Sequence, residues 1–258
     1  MIGKVIGFAL GFAWRGFLGG LVGALIGHFF YDRNQRSASL SGERLEEVQR
    51  TFFTTVFGLL GYLAKSDGRV SETEIRLTEI LMSKMGLTPD HRREAINLFK
   101  AGSTTGFDAD TVLDEFKRVC GASPNLAQML LVYLVNLALA DGTINEQEQV
   151  VLRQVADRLG FSRNAFEQLL RMINAQNSFG KGQQQRSQAN ELDAAYIALG
   201  VEKSVTDGEL KKAYRKLMSQ YHPDKLIGQG MPDDMIKAAT ERSQEIQAAY
   251  DLIKNTRP

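Results

Sequence analysis

The tripeptide His222-Pro223-Asp224 lies near the C-terminus, between two stretches whose apolar residues have helical spacing. Pro223 fixes its own φ at about −65° and favours an extended backbone at His222, which predicts a sharp exit from the first stretch. Asp224 then offers a carboxylate suited to bidentate pairing with an arginine of a partner protein. We therefore interpret the tripeptide as a candidate interaction site.

The stretch before the tripeptide is predicted to be an amphipathic helix with a basic outer surface. Its apolar residues recur at the spacing of one helical face: Leu210, Tyr214, Leu217 and Tyr221. Basic residues occupy the other faces, and one more follows the tripeptide: Lys211, Lys212, Arg215, Lys216 and Lys225. Taken alone, such a charge run is usually a solvated helix surface.

The stretch after the tripeptide, residues 233–254, repeats the helical pattern. The residues on its predicted inner face are Ile236, Ala239, Ser243, Ile246, Tyr250 and Ile253. Two helices with facing apolar stripes and a loop of about a dozen residues between them predict an antiparallel αα-hairpin. The tripeptide stands at the start of that loop.

From about Glu191 to Ile253 this pattern resembles the J domain, the signature module of DnaJ-type co-chaperones. The matching residues are Tyr196, Leu199, Gly200 and Val201, then Ala213-Tyr214-Arg215-Lys216-Leu217, Tyr221-His222-Pro223-Asp224-Lys225, Glu245-Ile246 and Ala249-Tyr250. Ser243 stands where the family usually has a core phenylalanine, so a less well filled core is expected there. The resemblance implies that His222, Pro223 and Asp224, here called the trigger tripeptide, stimulate ATP hydrolysis in a DnaK-type heat-shock ATPase.

The same resemblance gives the basic residues a role. It implies that Lys211, Lys212, Arg215, Lys216 and Lys225 dock on an acidic surface of that ATPase. The nucleotide chemistry then belongs to the partner, in agreement with the lack of a G-x-x-x-x-G-K-[ST] run in this chain. We therefore expect neither an enzymatic activity nor a cofactor.

The N-terminal stretch from Val5 to Tyr31 is apolar, with Arg15 and His28 as its only basic residues. As a helix it extends about 40 Å, enough to span a bilayer with tilt. We predict a transmembrane anchor within residues 1–31. A secretory signal peptide is the rival interpretation, weakened by the length of the stretch and by the arginine inside it.

The glycines of this stretch follow helical spacing too. Gly19, Gly23 and Gly27 lie four residues apart and share one side of the helix. This spacing favours a homodimer through the anchor, although the high glycine content of membrane helices explains it equally well. Arg15 fits three placements: snorkelling to the interface, a shorter span that starts at Gly16, or contact with a partner helix.

Residues 44–173 are predicted to be wholly helical and internally repeated. The predicted helices are Arg44–Ser66, Ser71–Met85, Pro89–Ala101, Ala109–Val119, Asn125–Ala140, Asn145–Leu159 and Ser162–Asn174. The eight residues from Asp67, DGRVSETE, align without gaps with the eight from Asp141, DGTINEQE. Each copy follows a long apolar helix and opens an amphipathic one, so two helical pairs related by a pseudo-twofold axis are expected. Asn145 with Glu148 predicts a capping box.

This repeat resembles the TerB-like helical domain, named after tellurite resistance. Its carboxylates offer oxygen ligands for calcium or magnesium if the two turns are adjacent: Asp67, Glu74, Asp141 and Glu148. We favour a structural interpretation, with Gly68 and Gly142 in helix-exit turns and the glutamates capping the next helices. One cysteine and three scattered histidines give no zinc-ligand spacing, and a net charge of +1 gives no case for nucleic-acid binding.

The order of the three parts resembles the DnaJ-like membrane-anchored co-chaperones of Gram-negative bacteria. This implies an all-α, single-pass inner-membrane protein with its C-terminal body in the cytoplasm. The expected parts are an anchor (1–31), a juxtamembrane linker (32–43), a TerB-like bundle (44–173), a flexible Gln/Gly/Ser linker (174–190) and a J domain (191–258). The expected function is recruitment of a DnaK-type ATPase to membrane-proximal clients, which the sequence does not identify. The alternative is a membrane stress sensor or scaffold whose TerB-like domain binds a metal or ligand.

Overall fold

A computed structural model of the chain describes residues 42–66, 68, 70, 72–139, 142–180 and 188–257. All regular secondary structure in these ranges is helical, which confirms the predicted all-α class. The helices are α1 (Gly42–Ala64), α2 (Glu72–Met85), α3 (Pro89–Gly102), α4 (Ala109–Cys120), α5 (Pro124–Ala138), α6 (Glu146–Arg158), α7 (Arg163–Gly180), α8 (Gln188–Ala198), α9 (Asp207–Tyr221), α10 (Pro223–Gly228) and α11 (Ile236–Thr256).

Helix α1 is the centre of the middle domain, which we define as residues 42–180. It contacts α3, α4, α5 and α6, and its apolar residues are buried along most of its length. Small residues let α1 and α3 approach backbone to backbone. A Cβ atom on Gly61 would lie 2.0 Å from the Phe99 carbonyl oxygen, and one on Gly102 would lie 1.9 Å from the Gly58 carbonyl oxygen. Only glycine fits at these crossings.

The sequence repeat forms two equivalent turns. The Gly68 amide donates to the Lys65 carbonyl at 2.9 Å, and the Gly142 amide donates to the Leu139 carbonyl at 3.1 Å. Both glycines have a positive φ, +101° and +103°, as the predicted helix-exit turns require. Gly68 and Gly142 therefore share a backbone conformation as well as a position in the repeat.

The second copy opens α6 with the predicted capping box. Asn145 Oδ1 accepts from the Glu148 amide at 2.8 Å, and the Glu148 carboxylate accepts from the Asn145 amide at 2.9 Å. This bonding satisfies two amides of the first turn that have no partner inside the helix. In the first copy the equivalent residues are Ser71 and Glu74; Ser71 and the side chain of Glu74 lie outside what the structure describes.

Helices α8 to α11 form the J-type domain, residues 188–257. The stripes of α9 and α11 face each other as predicted, and the rings of Tyr214 and Tyr250 stack with their centroids 4.3 Å apart. The connection between these helices differs from the expected loop. It holds the short helix α10 and a 3-10 turn, Asp233–Met235, because Pro223 is preset for a first helical turn.

Ser243 is buried on the inner face of α11. Its hydroxyl lies 2.8 Å from the Tyr221 carbonyl oxygen and 3.0 Å from that of Ala239, four residues earlier. The position that we expected to leave the core less well filled therefore carries a hydrogen-bonding role. It supplies a donor to the last carbonyl before His222, which the end of α9 leaves without a partner inside the helix.

The expected tether over residues 174–190 differs in the structure. Helix α7 continues to Gly180 and α8 begins at Gln188, so only residues 181–187 of that stretch lie outside the described residues. Polar composition suggested a linker, but Ala175 and Gln176 are good helix formers and the stretch before Gly180 contains no proline. The apolar face of the first turns of α7 then suffices to start the helix.

The middle domain and the J-type domain belong to one compact unit, residues 42–258. Helix α8 packs on α7, and α11 contacts α2 and α7. Within the described ranges no helix is both long and apolar enough to cross a bilayer. The predicted anchor lies outside those ranges, and so do Arg15, Gly19, Gly23 and Gly27.

Candidate functional site

The trigger tripeptide forms the corner between α9 and α10. His222 has φ −63° and ψ 124°, the extended backbone that the following proline predicts. The His222 carbonyl accepts hydrogen bonds from the amides of Lys225 and Leu226, each at 3.1 Å. Asp224 lies in the first turn of α10. The corner is therefore a hydrogen-bonded turn with a defined direction.

The two polar side chains of the corner point to solvent, while their neighbours are buried. His222 and Asp224 are exposed, whereas Tyr221 before them and Leu226 after them are at most 2% exposed. Within the described part of the chain, no hydrogen bond or ion pair engages either polar side chain. The corner thus presents an imidazole and a carboxylate that are available to a partner, on a backbone held by buried residues at both ends.

Four of the predicted docking residues lie along α9, and the fifth, Lys225, lies in α10 next to the corner. All of them are exposed: Lys211, Lys212, Arg215, Lys216 and Lys225. The Lys225 ammonium donates to the Ser219 hydroxyl at 2.7 Å, so the charge that follows the tripeptide lies against the last turns of α9. We call the first four residues the cationic patch. The patch and the corner are both exposed, the patch on α9 and the corner at its C-terminal end.

The start of α9 is set by a capping box that the sequence analysis did not single out. The Glu209 carboxylate accepts from the Thr206 amide at 3.0 Å, and the Thr206 hydroxyl accepts from the Glu209 amide at 3.3 Å. The hydrogen bond from the Thr206 hydroxyl is the largest cause that lowers the pKa of Glu209 below its usual value. A T-x-x-E pattern before a helical stripe was the available signal.

Arg257 joins the end of α11 to the rest of the J-type domain, a role that no local sequence pattern predicts. Its guanidinium donates to the Tyr196 hydroxyl at 3.1 Å, to Asp207 at 2.6 Å and to the Val205 carbonyl at 2.8 Å. It also lies 5.5 Å from the centroid of the Tyr196 ring. These contacts tie the start of α9 to α8 and α11, and so fix the helix that carries the cationic patch.

The four carboxylates of the repeat are the candidate metal ligands. Glu148 is the capping residue of α6, while Asp67, Asp141 and the side chain of Glu74 lie outside what the structure describes. In the ranges that are described, no group of three or more histidine, cysteine, aspartate or glutamate side chains has metal-binding geometry.

The family comparisons agree with this three-part order. Residues 54–171 match the family described as tellurite resistance protein TerB, and residues 194–257 match the DnaJ domain. Residues 1–42 match the co-chaperone DjlA transmembrane domain. This last match supports the predicted membrane anchor. No solved structure matches the chain.

Curated relatives align with this chain over almost their whole length. Co-chaperone protein DjlA of Coxiella burnetii is 39% identical over 99% of this chain and 98% of its own length. The protein of the same name from Shewanella oneidensis is 39% identical over 99% of this chain and 97% of its own. The protein of the same name from Escherichia coli K12 is 38% identical over 98% of this chain and 96% of its own length. Near-complete coverage at this identity shows that the chain belongs to the DjlA family of J-domain co-chaperones.

Proposed function

We propose that this chain stimulates ATP hydrolysis by a DnaK-type heat-shock ATPase and recruits that ATPase to clients near a bacterial inner membrane. The observation that carries the proposal is the corner at His222. It presents His222 and Asp224 to solvent on a turn whose flanking residues are buried, and the exposed cationic patch lies beside it.

The chemistry of this surface suits an acidic partner. Clustered lysines and arginines steer a negatively charged surface into contact and raise the association rate, and this effect weakens as salt rises. The Asp224 carboxylate suits a bidentate bond from an arginine of the partner, which is geometrically specific. The cations then determine affinity, and the trigger tripeptide determines how fast the bound partner hydrolyses ATP.

The proposed location is the cytoplasmic face of the membrane, because the ATPase requires cytosolic ATP. We further propose that Gly19, Gly23 and Gly27 let two anchors pack as a homodimer. Replacement of the anchor by an unrelated spanning helix should then abolish crosslinking between copies in membranes. Unchanged crosslinking would show that the glycines have no such role.

The test of the main proposal is single-turnover ATP hydrolysis by a DnaK-type chaperone in the presence of the full chain in lipid vesicles. We expect the wild-type chain to accelerate hydrolysis, and His222→Gln and Asp224→Asn to lose the acceleration at every concentration. Lys212→Glu should instead raise the concentration needed for half-maximal acceleration. Lys254→Glu is the matched control, since Lys254 is an exposed lysine of α11 outside the cationic patch.

A folded wild-type chain that leaves the hydrolysis rate unchanged would refute the proposal. So would equal stimulation by the wild type and His222→Gln. Equal effects of Lys212→Glu and Lys254→Glu would show that net charge, rather than the cationic patch, controls affinity.

A further inference from the structure

The segment that follows the trigger tripeptide is buried against the middle domain. We call residues 226–235 the post-trigger segment. Three of its four large apolar side chains, Leu226, Met231 and Met235, are each 0% exposed, whereas Ile227 is 37% exposed. Gly230, with φ +100°, lies so close to α1 that a Cβ atom there would be 2.3 Å from Val48 Cγ1. The segment therefore packs on the middle domain at van der Waals distance.

Two polar side chains of α5 bond to the J-type domain on either side of the tripeptide. Gln128 donates to the Tyr221 hydroxyl at 2.7 Å, one residue before His222. Tyr133 donates to the Met235 carbonyl at 2.9 Å, at the end of the post-trigger segment. Tyr133 is 0% exposed, and its buried hydroxyl needs this acceptor because an unsatisfied one is strongly destabilising.

Three further hydrogen bonds hold the edge of the same interface. Asp234 bonds to His91 Nδ1 at 2.5 Å and accepts from the Thr88 amide at 3.3 Å, at the start of α3. Asn125 donates to Gln229 at 3.1 Å. The middle domain thus contacts the J-type domain before and along the post-trigger segment, while His222 and Asp224 stay exposed.

We propose that the middle domain positions the trigger tripeptide, with Gln128 and Tyr133 as the positioning residues. Neither touches the exposed side chains of the corner. They act through Tyr221 and Met235, which end the two backbone stretches that lead into and away from it. The proposal rests on the proposed function, and it gives the TerB-like domain a part in triggering the partner's ATP hydrolysis.

The first test compares Tyr133→Phe and Gln128→Met in the full chain, because each removes a hydrogen-bond donor and keeps the side-chain bulk. A displaced trigger binds the partner but fails to accelerate it. We therefore expect maximal stimulation to fall about threefold or more, with less than about a twofold change in the half-saturating concentration. Phe116→Leu is the control, since it weakens the middle-domain core next to Phe52 and removes no hydrogen bond to the J-type domain.

The second test measures the environment of the His222 ring directly and needs no ATPase. The chain has three histidines, His28, His91 and His222, so ¹³C-histidine labelling gives three ring signals. His222→Gln assigns the signal of the corner. We expect Tyr133→Phe and Gln128→Met to shift or broaden the His222 signal, and Phe116→Leu to leave it unchanged at an equal loss of thermal stability.

The outcomes separate the two proposals. Stimulation and a His222 signal like those of Phe116→Leu would overturn the positioning role, since the two residues would then only stabilise the fold. If the wild-type chain fails to stimulate, the proposed function fails. In that case the His222 signal alone decides whether the middle domain positions the corner: a changed signal supports it and an unchanged one overturns it.

Discussion

Replacement of Gly230 by alanine tests whether the post-trigger segment packs on α1. The substitution has two effects that the structure separates. The positive φ of +100° strains any residue with a Cβ atom, at about 1–2 kcal/mol. The new methyl group would also lie 2.3 Å from Val48 Cγ1 and 2.9 Å from Val48 Cβ. Overpacking of this kind destabilises by about 1–3 kcal/mol.

Gly142→Ala is the matched control for the backbone strain. Gly142 has φ +103°, and a Cβ atom there would meet nothing within 4 Å. The free energy of unfolding of Gly142→Ala should therefore fall only by the strain energy. The lower entropy of its unfolded chain offsets a few tenths to about 1 kcal/mol of that loss. We expect Gly230→Ala to be less stable than Gly142→Ala by about 1–3 kcal/mol, the part that belongs to the contact with Val48.

The assay is urea unfolding of the full chain in detergent micelles, followed by helical circular dichroism and extrapolated linearly to water. Val48→Ala supplies the second half of a double-mutant cycle. It removes the atom at 2.3 Å and keeps the one at 2.9 Å, so it should relieve most of the overpacking in Gly230→Ala. Equal stabilities of Gly230→Ala and Gly142→Ala, with no coupling to Val48, would refute the packing of this segment on the middle domain.

Three further predictions concern side chains away from this contact. Burial raises the pKa of the Cys120 thiol to about 12. The thiol of the unfolded chain therefore ionises at a lower pH, and the free energy of unfolding should fall between about pH 9 and 12. Cys120→Ala should reduce this pH dependence in urea titrations, and an unreduced slope would contradict the prediction. Ser243→Ala leaves the Tyr221 carbonyl without its side-chain donor, so the free energy of unfolding should fall by about 1 kcal/mol in the same assay. An unchanged value would show that the carbonyl does not depend on this hydroxyl. Arg257→Lys keeps the charge but cannot bond Tyr196, Asp207 and the Val205 carbonyl at the same time. We therefore expect the free energy of unfolding to fall by about 1–2 kcal/mol and hydrogen exchange in α8 to become faster. Unchanged exchange would contradict the role of Arg257 in holding α8.

Local patterns in the sequence predicted most of the helices and the backbone of the trigger corner. Pro223 alone predicted the extended backbone of His222, because its effect on the preceding residue is steric and needs no tertiary context. The capping box of α6 was predicted because Asn145 and Glu148 bond within one helical turn. The exposed cationic patch followed from helical period, since residues off the apolar stripe of α9 face solvent.

The contacts between the two domains could not be predicted in this way. Gln128 and Tyr221 are 93 residues apart, and no periodicity or spacing links them. Tyr133 did carry a partial signal, since a tyrosine within the apolar run of α5 must bury its hydroxyl and find an acceptor. The sequence did not say which acceptor. The extension of α7 to Gly180 is a different case, because its signal was local. The polar composition of the stretch indicated a linker, whereas the helix propensity of its residues favoured a helix.

These contacts bear on how a J-type domain in this chain meets its partner. A domain on a flexible tether would reorient freely, and its trigger would depend only on its own core. Here three helices converge on the residue before His222: α9 contributes Tyr221, α11 holds its carbonyl through Ser243, and α5 holds its hydroxyl through Gln128. The position of the corner then depends on residues from both domains. A substitution in α5 that the partner never touches would therefore alter stimulation, as the proposed positioning role requires.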